Sequence, residues 1–325
     1  MQTKRQPSSR PLIQPSMREF WREARQQENF SWEYWLHSYA YGRFIYQYIS
    51  MGVGEHWLVK KIAPVWKLFR KLRNKTKKHK LAADTRPRKK MADTYHGKVV
   101  PLEAAKQLVT VQQDIALPDL EKIVPYPVAR DIILKNPDHI VALDCPCRSA
   151  RENPCLPLDV CLVVGEPFAT FIIEHHPEHS RWITQQEAET ILYEEDQRGH
   201  VHHAFFKDVM LNRFYAICNC CSCCCGAIQS TQHGNPMLAS SGYVAEIDET
   251  LCIGCMACEG FCQFDALHTH DEGYLAAVDV SACMGCGVCV EKCDVSAISL
   301  LRAPEKGEPL EICSLMEAVF DGAPM

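Results

Sequence analysis

The chain carries Cys252-Ile-Gly-Cys255-Met-Ala-Cys258-Glu-Gly-Phe-Cys262 and, further on, Cys283-Met-Gly-Cys286-Gly-Val-Cys289-Val-Glu-Lys-Cys293. In each run two residues separate the first three cysteines, and three more precede the fourth. Three thiolates at this spacing wrap around one corner of an iron-sulfur cubane, while the fourth points elsewhere. Two copies of the spacing in one stretch indicate two iron-sulfur sites.

The repeat extends beyond the cysteines. A shift of 31 residues carries each cysteine of the first run onto one of the second, and also carries Asp248 onto Asp279 and Leu267 onto Ile298. Internal duplication explains this regularity. Each half is predicted to contain a short strand, the cysteine loop, one helical turn and a second short strand, with strands at 243–247, 266–270, 276–280 and 297–301.

Over residues 243–302 this arrangement closely resembles the bacterial two-cluster ferredoxins. The resemblance implies a ferredoxin-like domain of pseudo-twofold ββ-α repeats, in which the fourth cysteine of each run ligates the other run's cluster. Carried over residue by residue, it assigns one 4Fe-4S cluster to Cys252, Cys255, Cys258 and Cys293, and a second to Cys262, Cys283, Cys286 and Cys289. A zinc ribbon or disulfide knot fits poorly, because structural zinc takes four ligands in paired clusters.

The chain departs from that family after each fourth cysteine, where proline is usual and Gln263 and Asp294 stand instead. Neither change removes a ligand. We expect the two clusters to differ in potential, because the Asp294 carboxylate beside the first cluster disfavours its more negative reduced state.

Length and composition allow two compact domains and an extension, since the chain has 325 residues and is 47% hydrophobic. Nineteen cysteines, an odd number, in so long a chain favour a reducing cytoplasm over a disulfide framework. Residues 1–15 are polar and basic without an apolar core, so no secretory signal is predicted. We therefore expect a cytoplasmic protein, with peripheral contact at the inner membrane face as an option.

The charge is divided unequally along the chain. Residues 1–90 hold 21 Lys and Arg against 6 Asp and Glu, a net +15, whereas the remainder carries −20. A basic arm on an acidic body indicates that the arm meets an anionic surface or an acidic partner.

The arm is rich in aromatic residues between 30 and 69, but its longest stretch without formal charge, 44–54, is too short for a spanning helix of about 20 residues. Residues 62–80 mix apolar and basic residues as interfacial helices do. Two interpretations stay open: residues 30–80 dock on an anionic membrane surface, or they form helices that pack on the body or a partner, followed by a basic linker to residue 90. Nothing indicates a nucleic-acid module.

Between residues 91 and 242 the pattern becomes mixed. Helices are predicted at 101–113 and 128–134, the second stopped by Asn136-Pro137, and a strand at 139–143. Thr184 with Glu187 forms a capping box for a helix ending near Gly199. We expect a small α/β or α+β module.

This module contains ten further cysteines in two groups, each following an apolar, strand-like run: Cys145, Cys147, Cys155 and Cys161, then Cys218, Cys220, Cys221, Cys223, Cys224 and Cys225. The six thiols of the second group cannot all face one metal, because neighbours along an extended chain point to opposite sides. Three interpretations compete: further iron-sulfur clusters, which soft thiolates and the rest of the chain favour; structural zinc; or thiol exchange, for example at Cys220 and Cys221. The order of the modules is similar to that of larger ferredoxin-like proteins, which have a cysteine-rich string before the two-cluster domain. That resemblance implies no particular activity.

Other candidate ligands are the histidines of two sequence clusters, His175, His176, His179, His200, His202 and His203, although such clusters are more often solvated or hydrogen-bonded. Arg148 and Arg151 lie next to Cys147, where they would donate to cluster sulfides, bind an acidic partner or serve as ordinary surface arginines.

We predict an α+β protein with a helical basic arm (1–90), a cysteine- and histidine-rich α/β module (91–242), a two-cluster domain (243–303) and a tail (304–325). Its predicted function is electron transfer between redox protein partners, in anaerobic-type redox metabolism. The alternatives are an oxidoreductase whose middle module is the catalytic site, and a relay subunit anchored by the arm to a membrane complex. No dinucleotide fingerprint or Walker A loop is present.

Overall fold

The middle module is built on one large sheet. The computed structural model describes residues 14–28, 30–62, 91–269 and 275–320. Eight strands pair in the order β2-β3-β4-β7-β6-β1-β8, with β5 also on β3, and all neighbours are antiparallel except β1 and β8. The strands are β1 Tyr95–Val100, β2 Ile115–Leu117, β3 Ile132–Leu143, β4 Cys161–Glu166, β5 Ser180–Ile183, β6 Val201–Lys207, β7 Arg213–Cys220 and β8 Leu238–Ala239.

Helices cover this sheet and precede it in the chain. They are α1 Pro15–Ala24, α2 Trp32–Arg43, α3 Ile45–Gly52, α4 Met91–Thr94, α5 Leu102–Thr110, α6 Pro146–Ser149, α7 Phe168–His175, α8 Gln185–Gln197 and α9 Gly226–Gln232. The capping box is confirmed, because the Thr184 side chain accepts a hydrogen bond from the Glu187 amide at the start of α8. The helix predicted at 101–113 is confirmed as the shorter α5.

The helix predicted at 128–134 is wrong. Residues from Ile132 onward form β3, and Ala129 and Asn136 have positive φ angles of 58° and 46°, which an α-helix does not allow. Ile132 and Leu134 are buried and alternate with the less buried Ile133, so the local period is two rather than 3.6. Pairing with β2 decided the structure of this ambiguous apolar run.

The N-terminal helices pack on the middle module. Phe20 of α1 is fully buried and makes edge-to-face contacts with Phe168 and Phe171 of α7. Tyr41 of α2 is buried against β7, with 2.8 Å between its hydroxyl oxygen and that of Tyr215. Much of the arm's aromatic character therefore belongs to the core of the module.

Part of the arm's apolar surface faces outward, including Trp32, Leu36 and Trp57. Within the described ranges no helix is long and apolar enough to cross a bilayer. The interfacial segment predicted at 62–80, apart from residue 62, and the linker to residue 90 lie outside the described residues.

Two small sheets form the region that contains the cysteine runs. Strand β9 Tyr243–Ile247 pairs antiparallel with β12 Ile298–Arg302, and β10 Leu267–Thr269 pairs antiparallel with β11 Ala276–Val278. The short helices α10 Ala257–Phe261 and α11 Val288–Glu291 follow the two cysteine loops. A 3₁₀ turn at Pro304–Lys306 and the helix α12 Ile312–Phe320 complete the described chain, and α12 packs on α5. The mixture of helices and strands fits the predicted α+β class.

Candidate metal centres

The eight cysteines of the two runs surround two separate small cavities. Cys262, Cys283, Cys286 and Cys289 line the first of these, and Cys252, Cys255, Cys258 and Cys293 line the second. Each cavity is thus bordered by three cysteines of one run and the fourth cysteine of the other. We call these four-cysteine sets the inner set (Cys262, Cys283, Cys286, Cys289) and the outer set (Cys252, Cys255, Cys258, Cys293).

The backbone of the two runs repeats with the same 31-residue shift. Positive φ angles occur at Gly254 and Gly285, and again at Met256 and Gly287. These left-handed positions turn each loop around its cavity. Matching hydrogen bonds close the loops, because the Ala266 amide donates to Cys262 Sγ at 3.3 Å and the Ala297 amide donates to Cys293 Sγ at 3.2 Å. Amide donors to ligand sulfurs are the contacts that tune iron-sulfur centres.

The two sets differ in exposure. The inner set lies against the middle module, where Cys286 and Val288 contact the fully buried Val99 and Val201. In the outer set Cys255 is exposed, and neighbouring Ile253 is 68% exposed. Burial raises the pKa of Cys289 to about 12 and also raises that of Cys286. The positive charge of a metal is therefore needed to hold these buried thiols as thiolates.

Four cysteines of the middle module form a compact cluster, which we call the four-thiol group: Cys155, Cys221, Cys223 and Cys224. Their Sγ atoms all lie within 4.8 Å of one another, with 3.1 Å between Cys155 and Cys223 and 3.2 Å between Cys221 and Cys223. Cys223 is exposed, whereas Cys221 and Cys224 are buried. The structure thus joins thiols from both sequence groups.

The other six cysteines line a large cavity beneath the N-terminal helices. We call them the six-thiol wall: Cys145, Cys147, Cys161, Cys218, Cys220 and Cys225. The cavity has a volume of about 540 Å³, and Cys221 and Cys224 of the four-thiol group also border it. Cys220 and Cys221, the example of an exchangeable pair under the thiol-exchange interpretation, therefore belong to different groups. Cys161 and Cys218 bring their Sγ atoms to 3.8 Å.

The cavity is also lined by tyrosines and a lysine. Tyr41, Tyr48, Tyr95 and Tyr215 contribute to its lining together with Lys207. Lys207 is 3% exposed, and its Nζ lies 4.8 Å from the ring centre of Tyr41 and 5.0 Å from that of Tyr95. Burial lowers the pKa of Lys207. The cavity therefore combines thiols with hydroxyl and amine groups that suit hydrogen bonding to a small molecule.

The two candidate arginines hold the cysteine loops in place. Arg148 is 1% exposed and donates to Glu195 Oε2 at 2.6 Å and to the Asn219 carbonyl at 3.0 Å. Arg151 donates to the Cys224 carbonyl at 2.9 Å and to Gln229 Oε1 at 2.7 Å. Arg148 lines the cavity, whereas Arg151 ties α6 to the cysteine string. Both interactions position the loops that carry the thiols.

The candidate histidines do not converge on one site. His176 contacts the Gly42 carbonyl at 2.7 Å and His179 contacts Asp144 at 3.0 Å, whereas His200 bonds Glu195 and His202 bonds Asn219. His175 contacts the Phe171 carbonyl at 2.8 Å, and the remaining histidine, His203, is fully buried. Among the described residues, no group of three ligand atoms within 4.8 Å includes a histidine.

Sequence reasoning missed a hydrogen-bonded contact between the two modules. The Ser222 amide, inside the four-thiol group, donates to Gln263 Oε1 at 2.7 Å, and Gln263 Nε2 donates to the Gly199 carbonyl at 2.9 Å. Gln263 directly follows Cys262 of the inner set. The signal in the sequence was the glutamine at the position where the family usually has proline, since a proline cannot make either bond.

Comparison with known proteins identifies a domain in the C-terminal region. Residues 245–294 match the family model described as a 4Fe-4S dicluster domain. Neither the curated proteins nor the solved structures contain a significant match to the chain. The dicluster domain and the many cysteines indicate iron-sulfur electron transfer.

Proposed function

We propose that this protein is an iron-sulfur electron carrier with two 4Fe-4S clusters in its C-terminal domain and at least one further cluster in the middle module. The observation that carries the proposal is the separation of the eight C-terminal cysteines into the inner and outer sets, each around its own cavity. The outer set holds one cluster and the inner set the other. Clusters of this kind exchange single electrons, while the protein sets their potential and access.

The direction of the relay follows from the exposure of the outer set and from the contact of the inner set with the middle module. A redox partner meets the outer cluster, because Cys255 and Ile253 lie at the surface. The inner cluster receives the electron and faces the middle module through Cys286. The bond between Gln263 and Ser222 then continues the path to the cysteine string.

A second candidate is an oxidoreductase whose middle module carries out the chemistry. The cavity of about 540 Å³ favours it, because the six-thiol wall and the Lys207–tyrosine cluster line one space. A cluster on the thiols would deliver electrons to a small molecule held by the hydroxyl groups and the amine. The substrate would enter this cavity.

Counting iron and sulfide separates these proposals from a plain two-cluster protein. After anaerobic reconstitution the full chain is expected to hold about 12 iron and 12 sulfide, because the two C-terminal clusters account for about 8 of each. The measurement is elemental iron with acid-labile sulfide per chain. A count that stays at about 8 would refute the further cluster in the middle module.

The crossed ligation of the two clusters can be tested with a matched pair of substitutions. Cys262→Ser is expected to disturb the cluster held by Cys283, Cys286 and Cys289, and Cys293→Ser the cluster held by Cys252, Cys255 and Cys258, with about 4 iron lost in each case. Paramagnetic resonance of the reduced variants identifies which cluster signal disappears. Exposed Cys313, which belongs to neither set, provides the control Cys313→Ser. If Cys262→Ser removed the signal of the outer set, the crossing would be wrong.

A further inference from the structure

We infer that the ten cysteines of the middle module form two metal sites of different kinds: the four-thiol group binds one tetrahedral metal ion, and the six-thiol wall binds a 4Fe-4S cluster. The inference rests on the proposed iron-sulfur function and specifies how the middle module carries it out. It depends on the spacing of the sulfur atoms.

The four-thiol group has the dimensions of a single-ion site. Four thiolates at about 2.3 Å from one tetrahedral ion lie about 3.8 Å from one another. The closest Sγ pairs of the group are separated by 3.1 to 3.7 Å, and every pair lies within 4.8 Å. A cubane requires wider spacing, because its four thiolates bind four different iron atoms with the cluster between them.

The C-terminal domain provides an internal reference for that wider spacing. Among the residues that the structure describes, no three of the eight cysteines in the inner and outer sets have Sγ atoms within 4.8 Å of one another. These are the cysteines that the dicluster match covers. The eight cysteines of the dicluster domain are thus spaced more widely than the four cysteines of the four-thiol group.

The six-thiol wall is less compact than the four-thiol group, although the Sγ atoms of Cys161 and Cys218 lie 3.8 Å apart. Within the described ranges, no three of its sulfur atoms lie within 4.8 Å of one another, although all six cysteines border one cavity. A cavity of about 540 Å³ has room for a cluster together with a small molecule. Four thiolates suffice for a cubane, which leaves two thiols of the wall outside it.

A buried histidine next to the wall supports a cofactor there. His203 is fully buried, and neither ring nitrogen has a hydrogen-bond partner in the described part of the protein. It pairs with Cys218 across β6 and β7, and the alternation of a strand places it on the same face as the cavity residues Phe205 and Lys207. Buried polar groups without partners point to an absent ligand, and cluster sulfides accept hydrogen bonds.

The single ion would serve as a clamp beneath the contact between the modules. It would join Cys155, from the loop after α6, to the string 221–224, where the Ser222 amide bonds Gln263. Soft thiolates select zinc or iron for such a site, and exposed Cys223 offers an entry path. Zinc would make the site structural, whereas iron would add a one-electron centre to the relay.

The decisive measurement is the excess of metal over sulfide in the full chain. Cubanes contribute iron and sulfide in equal numbers, so the single ion is expected to appear as an excess of about one zinc or iron per chain after anaerobic reconstitution with iron, zinc and sulfide. Equal totals of about 12 iron and 12 sulfide without that excess would overturn the inference and leave the proposed carrier intact. Fewer than about 8 of each would instead refute the proposed function.

Paired variants then assign the sites. Cys155→Ser with Cys223→Ser is expected to lose about one metal ion and no sulfide, whereas Cys161→Ser with Cys218→Ser is expected to lose about four iron and four sulfide. Cys313→Ser is the control, and the paramagnetic signals of the C-terminal clusters report that each variant has folded. Loss of about four sulfides from the Cys155 and Cys223 variant would contradict the assignment.

Discussion

Replacing Gly285 by alanine is expected to empty the inner set and to lower the free energy of unfolding by about 2 to 5 kcal/mol, although it adds one methyl group. Gly285 has a φ of 63° and lies between Cys283 and Cys286. Its new β-carbon would overlap the backbone carbonyl of Tyr243 and the Ser241 hydroxyl. Both the left-handed backbone and the collision with β9 oppose the substitution.

A second glycine in the same domain is the matched control. An alanine β-carbon at Gly260, in α10, would meet no atom within 4 Å outside its own helix. Gly260→Ala is therefore expected to be neutral or to stabilise by up to about 1 kcal/mol. Thermal unfolding and iron content should separate the two variants clearly. If Gly285→Ala retained full iron and its unfolding midpoint, the close approach of this loop to β9 would be incorrect.

Gln263→Leu is expected to weaken one contact between the middle module and the C-terminal clusters. The leucine keeps the approximate size but loses the acceptor for the Ser222 amide and the donor to the Gly199 carbonyl. Each unpaired group costs about 1 to 3 kcal/mol, which corresponds to a roughly 5- to 150-fold larger population of the open contact. Amide exchange at Ser222 should rise by that factor, and electron transfer into the middle module should slow.

Gln263→Glu distinguishes the two bonds. The carboxylate still accepts a hydrogen bond from the Ser222 amide, so amide exchange at Ser222 should stay close to the native rate. It cannot donate to the Gly199 carbonyl, so that hydrogen bond is lost. Iron and sulfide content should remain unchanged in both variants, because neither touches a ligand. Unaltered Ser222 exchange in Gln263→Leu would rule out this bond as a link between the modules.

Local chemistry made the C-terminal sites predictable. The four cysteines of each run lie within eleven residues, and the left-handed positions at Gly254, Gly285 and Gly287 follow from glycine's freedom at positive φ. The start of α8 was equally local, because Thr184 and Glu187 are three residues apart. These features are set by residues that lie close together in the sequence, and they do not depend on the rest of the chain.

The middle module could not be predicted in this way, because its sites depend on contacts between distant residues. Cys155 and Cys223 are in contact although 68 positions separate them in the sequence. Buried Arg148 donates to Glu195, which lies 47 positions further along the chain. Neither pair leaves a periodic signal in the sequence. The run at 128–134 shows the same limitation, since its apolar residues suit a helix equally well and only pairing with the distant β2 makes them a strand.

The pairing of β9 with β12 has a consequence for synthesis of the protein. Tyr243 of the first strand pairs with Arg302 of the last, and Ile247 pairs with Ile298. A nascent chain that ends before residue 298 therefore presents β9 as an open strand edge, which other chains can join. The first cysteine run leaves the ribosome well before β12 is available to cover β9. Unfinished chains are therefore the form of this protein most exposed to aggregation and to loss of metal.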